Sequence, residues 1–153
     1  MESTCEAILR PIRSDLSPLT GSGRDLEAAA GPAVREKLEQ LGDIPVGGAV
    51  VTPGGALPAL LLIHAAIESR EEPVTRAGVE RALTNGLRRA VEWGVRSVAL
   101  PPLGAGAGQL ELEVVVELTA AAVRNVAAGS ATLAEVEVVV ETEYQEAAFL
   151  QGV

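Results

Sequence analysis

The sequence predicts an α/β fold, a three-layer α/β/α sandwich around a mixed, mostly parallel central sheet. Segments typical of strands and helices alternate along most of the chain, and strands joined through helices pair in parallel, with helices on both faces. The strand segments include apolar runs such as LLLI and VAL, as expected for a sheet covered on both sides. Two strands are joined by a Pro-Gly-Gly-Ala turn instead and should be neighbours.

The first half of the chain predicts a strand, two helices and two further strands. EAILRPI, residues 6–12, contains branched apolar residues and ends in a stretch rich in Ser, Asp and Pro, which is typical of a short strand. RDLEAAAGPAVREKLEQLG has helical spacing interrupted at Gly31-Pro32; we expect two helices, because proline ends the first and suits the first turn of the second. GGAVVTPGG and LPALLLIHAAIES are apolar runs of strand length.

The second half predicts a long helix, a strand, a helix, a strand and a terminal helix. In VTRAGVERALTNGLRRAVEWG, apolar residues recur every four positions, Thr75 suits the N-cap, and Gly94 suits the end of the helix. Trp93, beside that end, is interpreted as a packing residue. RSVALPPL predicts a strand, ELEVVVELTAAAVRNVAAG a helix, EVEVVVET the last strand and EYQEAAFL the terminal helix.

Composition limits the classes of function. At 153 residues and 15.7 kDa, residues 1–153 are expected to form one domain. The balance of 12 Lys+Arg against 21 Asp+Glu gives a net charge of -9, which argues against nucleic-acid binding. No window approaches a membrane span and the start lacks the pattern of a signal peptide, so we expect no membrane partner and a cytoplasmic location. With only Cys5 and His64 as soft ligands, neither a metal nor a cofactor is expected.

The most informative stretch is LPPLGAGAGQL, residues 100–110, in which small residues separate a strand from a helix. Backbone amides can approach a phosphate closely where side chains are missing, and the following helix adds a partial positive charge. A nucleotide-triphosphatase loop would need Lys and Ser/Thr where Gln109 and Leu110 follow Gly108, and the dinucleotide fingerprint would need a glycine at position 109. From spacing alone, a tight turn without a ligand stays an equal alternative.

The segments VGGAVVTPGGALPALLLIHAA and SVALPPLGAGAGQLELEVVVEL, in this order, resemble the macrodomain family. The resemblance runs from about Gly31 to Phe149 and implies an α/β/α sandwich that binds ADP-ribose or a related small nucleotide; many members of the family also remove ADP-ribose from proteins or deacetylate O-acetyl-ADP-ribose. It implies that the diphosphate and distal ribose contact the backbone of Leu103, Gly104, Ala105, Gly106, Ala107 and Gly108.

The front of the chain departs from the family motif Asp-Ala-Ile-Val-Asn-Ala-Ala-Asn, where this chain has EAILRPIR. By the resemblance, Glu6 replaces an aspartate that binds the adenine amino group, whereas Arg10 and Arg13 stand in place of the asparagines. Either arginine could hold an anion through paired hydrogen bonds, or both could pair with acids such as Asp15 or Glu6. SDLSPLTGSGRDLEAAAG replaces the family's first glycine-rich loop, so no water-activating residue can be carried over.

Other polar residues have a structural and a functional interpretation. Ser14, Asp15 and Ser17 suit turn and helix-cap chemistry better than catalysis, and His64, without a predicted carboxylate partner, suits a structural hydrogen bond. Tyr144 follows the last strand, where the resemblance places an aromatic near the base; it stacks on the nucleotide or anchors the terminal helix.

Three classes of function follow: a nucleotide-binding module, an ADP-ribose hydrolase or deacetylase, and a degenerate domain that acts through protein contacts. The resemblance implies one or two extra strands before the N-terminal motif; their absence from this sequence favours the last class, because it would expose a sheet edge through which two copies could pair.

Overall fold

The computed structural model describes residues 5–106 and 109–152. In chain order, its elements are β1 (Ala7–Arg13), α1 (Gly21–Ala30), α2 (Pro32–Leu41), β2 (Ala49–Pro53), β3 (Leu61–Glu68), α3 (Arg76–Glu92), β4 (Ser97–Leu100), α4 (Leu112–Ala127), β5 (Glu135–Val138) and α5 (Glu143–Gly152). Each element corresponds to a segment predicted above. The last strand is shorter than EVEVVVET, because regular pairing with β4 ends at Val138.

The five strands form one sheet in the order β2-β3-β1-β4-β5. Strands β3, β1, β4 and β5 are parallel, and β2 pairs antiparallel with β3 across the Pro-Gly turn. The prediction of a mixed, mostly parallel sheet is therefore confirmed. Strands β2 and β5 form the two edges, and pairing of an edge between two copies stays a prediction.

Alternation along β1 divides its side chains between two hydrophobic layers. Ile8 and Ile12 pack with buried residues of α1 and α2, whereas Ala7 and Leu9 pack with α3 and α4. At Gly86 of α3, an added Cβ would collide with Leu9, so glycine allows α3 to approach the sheet closely. The helices thus cover both faces and complete the three layers.

The terminal helix α5 packs on α4 through Phe149, which contacts the buried pair Val115 and Val116. Trp93 is 59% exposed, so the prediction that it is a packing residue is wrong. No helix among the described residues has the length and apolar character needed to cross a membrane.

Candidate functional site

The glycine-rich loop between β4 and α4 lies at the carboxyl end of the parallel strands. Because β1 and β4 are parallel, the loop after β1 (residues 14–20) and the loop after β4 (residues 101–111) emerge at the same edge of the sheet. Open α/β sheets bind their ligands at this edge. The glycine-rich loop is therefore the centre of the candidate site.

Some backbone amides of this loop are used internally and others are open. The amide of Leu110 donates to the carbonyl of Gly104 over 2.9 Å, and that of Gln109 donates to Gly106 over 3.1 Å. Within residues 5–106 and 109–152, the amides of Gly104 and Ala105 have no acceptor. A buried or half-buried N–H without an acceptor is costly, so these two amides are available to an anionic guest.

The conformation of the loop requires glycine at position 104. Gly104 has a φ of 89°, and a Cβ at this position would lie 2.8 Å from Cγ2 of Val79. The preceding Leu103 has a fully buried side chain, so only its backbone could contact a ligand. The predicted contacts of Ala107 and Gly108 fall outside the described residues.

The structure brings Tyr144 to the same loop. Ala105 and Gly106 line an open groove of about 550 Å³ together with residues at the start of α4 and α5. Its lining includes Leu110, Glu111, Leu112, Glu113, Thr142, Tyr144 and Gln145. A groove of this size can hold a small-molecule ligand.

In the lining of this groove, the Tyr144 hydroxyl donates a hydrogen bond to Oε1 of Glu113 over 2.9 Å. The pKa of the Glu113 carboxyl is lowered by its own backbone N–H and then by this hydrogen bond. Hydrogen bonding to Glu113 also raises the pKa of Tyr144, so at neutral pH the carboxylate is ionised and the phenol is protonated. Sequence reasoning missed Glu113, although its position two residues beyond the end of the loop was an available signal.

Arg10 does not lie at a cleft mouth, as expected, but is buried between the sheet and α1. The residue is 2% exposed, and its Nη1 lies 3.1 Å from Oε2 of Glu27. The other oxygen of Glu27 pairs with Arg35 of α2 over 3.2 Å. Burial lowers the pKa of Arg10 while Glu27 opposes that change. The expected pairing of Arg10 with an acid is therefore found, but with a different acid.

His64 extends this cluster across the sheet. Nε of Arg10 donates to Nδ1 of His64 over 2.9 Å; since arginine can only donate, the ring proton of a neutral His64 must be on Nε2, which donates to Thr52. Burial, and then the charge of Arg10, lowers the pKa of His64 well below its usual value. A fully buried, doubly hydrogen-bonded imidazole has the predicted structural role.

The two other polar residues of the N-terminal motif lie at opposite ends of β1. Arg13 ends the strand at the ligand-binding edge, donates to the carbonyl of Pro18 over 2.7 Å and lies 3.9 Å from Glu68. Glu6 precedes the strand, and its carboxylate accepts from the backbone N–H of Arg96 over 2.6 Å. This placement corrects the expected adenine contact of Glu6, because the residue lies at the end of the sheet away from the loop.

The polar side chains after β1 are occupied by local structure. Ser14 donates to the carbonyl of Ile44, and Asp15 accepts from both the amide and the hydroxyl of Ser17. These bonds from Ser17 lower the pKa of Asp15. Thr20 caps α1 through the amide of Gly23. The geometry is that of turns and caps, as the sequence indicates.

One cluster in the described part of the chain has the composition of a metal site. Cys5, Glu135 and Glu137 each place a ligand atom within 4.8 Å of the others, whereas the sequence predicted no such cluster. It lies at the amino ends of β1 and β5, away from the groove, and acidic groups of this kind are common without an ion.

The arrangement described so far is that of a known domain family. The family model for the macro domain matches residues 14–119, more than half of the chain. The chain is therefore a member of the macro domain family. The match begins earlier than the resemblance at Gly31 suggested and includes the divergent loop after β1.

Relatives are found among bacteria and archaea. An uncharacterized protein of Aeropyrum pernix is 38% identical over 110 residues, which are 70% of this chain and 57% of that protein. An O-acetyl-ADP-ribose deacetylase of Citrobacter koseri is 35% identical over 117 residues, covering 68% of this chain and 62% of the enzyme. The chain spans about half or less of the first relatives that it matches, from 57% down to 35%.

Solved structures support the same fold at low sequence identity. A Trypanosoma brucei macrodomain in complex with ADP-ribose superposes with a TM-score of 0.86 at 16% identity, covering 97% of this chain and 63% of the other. The Oceanobacillus iheyensis macrodomain with ADP gives a TM-score of 0.85 at 16% identity, with coverage of 98% and 83%.

Proposed function

We propose that this chain binds ADP-ribose or a related phosphorylated nucleotide, with the diphosphate on the amides of Gly104 and Ala105. The observation that carries the proposal is that these two amides, at the carboxyl end of an inner strand, have no acceptor among residues 5–106 and 109–152. Peptide N–H groups without intervening side chains stabilise phosphate oxygens. Macrodomains solved with ADP and with ADP-ribose share the fold, which supports the choice of ligand.

The charge of the chain favours a small ligand over a polymer. A net charge of -9 repels a nucleic-acid backbone at long range, whereas a single diphosphate needs only local donors. Arg13 is a further donor at the same edge, because its side chain is 43% exposed and its contact with Glu68 is long at 3.9 Å. Glu6 and Arg10 are left out of the proposed site because other groups of the protein engage them.

The principal test is calorimetric titration with ADP-ribose. Gly106→Val places a branched side chain where φ is 149° and a Cβ would already lie 3.3 Å from Oε1 of Gln109, so the loop must change shape. We expect binding about tenfold weaker or worse, from the loss of at least one charge-assisted hydrogen bond.

The control is Gly129→Val. Gly129 follows the carboxyl end of α4, and a Cβ there has only an ordinary contact at 3.9 Å, so affinity should not change. Thermal unfolding of both variants checks that they are folded. Saturable binding weakened only by Gly106→Val supports the proposal; no heat with the parent protein at millimolar ADP-ribose would overturn it.

Hydrolysis is the second candidate, favoured by the 35% identity to the Citrobacter koseri deacetylase. In residues 14–24, however, Ser14, Asp15 and Thr20 are engaged in local hydrogen bonds, which favours binding over catalysis. Incubation with O-acetyl-ADP-ribose or a mono-ADP-ribosylated protein should release no product. Turnover that persists after substitution of Asp15 and Arg13 would establish an enzyme with other catalytic groups.

A further inference from the structure

The two edges of the sheet differ in how far the rest of the chain engages them. Strand β2 ends in Pro53, and Nε of Arg89 donates to the carbonyl of Ala49 over 3.2 Å. Proline lacks the N–H that a further strand would pair with, so this edge is poorly suited to extension. Residues 135–140, which contain β5, include neither proline nor lysine, and the register with β4 is regular. The β5 edge is therefore the better candidate for an added strand.

Alternate residues of β5 direct their backbone groups away from the sheet. The amides of Glu135 and Val139 donate to carbonyls at the two ends of β4, over 3.1 and 2.8 Å. Successive residues of a strand bond to opposite sides, so the N–H and C=O groups of Val136 and Val138 point outward. Within the described part of the chain, these outward groups have no hydrogen-bond partner. The β5 edge thus offers donors and acceptors to an incoming strand.

The side chains of β5 form an acidic row on one face of the sheet and an apolar row on the other. Glu135 and Glu137 form the acidic row, and Glu135 is exposed. Val136 and Val138 form the apolar row, which packs against the layer of α4 and is half-buried. A strand added at this edge places its own side chains beside both rows. Apolar residues on one face would extend the packed layer, and basic residues on the other would pair with the glutamates.

We propose that the β5 edge binds an extended segment of a partner protein in which basic and apolar residues alternate, as a sixth strand of the sheet. In this mode of recognition, backbone hydrogen bonds supply affinity and alternate side chains supply specificity. The net charge of -9 also favours a basic segment. A second copy fits less well, because two-fold pairing at β5 would put the glutamates of both chains on the same face of the joined sheet. The proposal does not depend on nucleotide binding.

The experiment titrates the whole chain with a fluorescent peptide of about six residues, the usual length of a strand, in which lysine and valine alternate. Two control peptides have the same side chains. One carries its lysines and valines in separate blocks, and the other is N-methylated throughout its backbone. We expect each control to bind about tenfold more weakly by fluorescence anisotropy, because the first cannot match both rows and the second has no N–H to donate.

Glu135→Lys tests the acidic row. The change replaces attraction between opposite charges on neighbouring strands by repulsion, so affinity for the alternating peptide should fall about fivefold. The matched control is Glu36→Lys on α2, which changes the net charge of the chain equally and should alter affinity by less than about twofold. Because both glutamates are exposed, neither change should unfold the chain, and circular dichroism verifies this.

Amide hydrogen exchange locates the bound peptide. The amides of Val136 and Val138 should exchange more slowly in its presence, whereas those of β2 should not change. Equal affinity for the three peptides, or equal loss in the two variants, would show only a general attraction between opposite charges and would overturn the proposal. Dimers of the parent protein in analytical ultracentrifugation that the peptide does not dissociate would also overturn it, because a second copy would then occupy the edge.

Discussion

Two polar regions of this domain have opposite designs. Between the sheet and helices α1 and α2, the side chains of Arg10, Glu27 and His64 form a closed cluster in which Arg10 is 2% exposed and His64 is fully buried. At the carboxyl edge, the loop from Gly104 to Gly106 offers no polar side chain, but Ala105 and Gly106 line an accessible groove. The first region has the residue types of an active site, and the second has the geometry of a binding site.

The comparison shows that residue type alone does not locate function. A histidine with an arginine, a threonine and a glutamate nearby has the composition of a catalytic group, yet each of these side chains hydrogen-bonds to a neighbour and is largely shielded from solvent. Chemistry on a ligand requires groups whose hydrogen bonds are left for that ligand. By this criterion, the closed cluster stabilises the fold, and the glycine-rich loop is the binding site that we propose.

Breaking the buried cluster should have the largest effect on stability. Glu27→Ala removes the carboxylate shared by Arg10 and Arg35 and leaves a buried guanidinium without a counter-charge. Loss of one partner from a buried ion pair is strongly destabilising, so we expect the free energy of unfolding to fall by about 3 kcal/mol. Urea denaturation measures it, with Glu36→Ala on the exposed face of α2 as control. A loss no larger than that of the control would mean that the cluster does not hold the helices to the sheet.

Lowering the pH should destabilise the same cluster, but by a smaller amount of free energy. The folded protein keeps His64 neutral, because its pKa lies well below the usual 6.5, whereas the unfolded chain binds a proton near that value. The unfolded state therefore binds more protons as the pH falls below about 6.5, and stability is lost in that direction by up to about 1.4 kcal/mol per pH unit. Unfolding free energies from pH 7 to pH 5 measure this slope. His64→Asn should flatten it, and an unchanged slope would assign the effect to other groups.

The fold was predictable because its determinants are local. Alternating strand and helix patterns, the Pro-Gly turn and the cap at Thr75 all lie within short windows, and all correspond to elements of the structure. The position of the glycine-rich loop followed from its place after a strand. The position of Tyr144 near this loop could be predicted only from the family resemblance. No local pattern indicates a contact between residues so distant in the chain.

The positions of Glu6 and Arg10 were predicted wrongly. Their true positions depend on strand direction and on contacts between residues that are distant in sequence. Glu6 precedes β1, so its position at the amino end of the sheet could have been deduced from the direction of the strand. Arg10 alternates with Ile8 and Ile12, a signal that it shares their buried face. Its partner Glu27 could not be identified, because several acids lie at similar distances along the chain and only helix packing selects one.

The smallest effect is expected at the exposed ion pair between Arg76 of α3 and Glu117 of α4. Its N–O distance of 2.7 Å is shorter than the 3.1 Å between Arg10 and Glu27, so distance alone would rank it as the stronger pair. The two side chains are, however, 51% and 65% exposed, and water screens their attraction while their ordering costs entropy. Arg76→Gln should therefore lower the free energy of unfolding by about 0.5 kcal/mol or less, and added salt should reduce even that difference. Urea denaturation at low and high salt measures both. A loss comparable to that of Glu27→Ala would show that geometry, rather than burial, sets the strength of ion pairs in this domain.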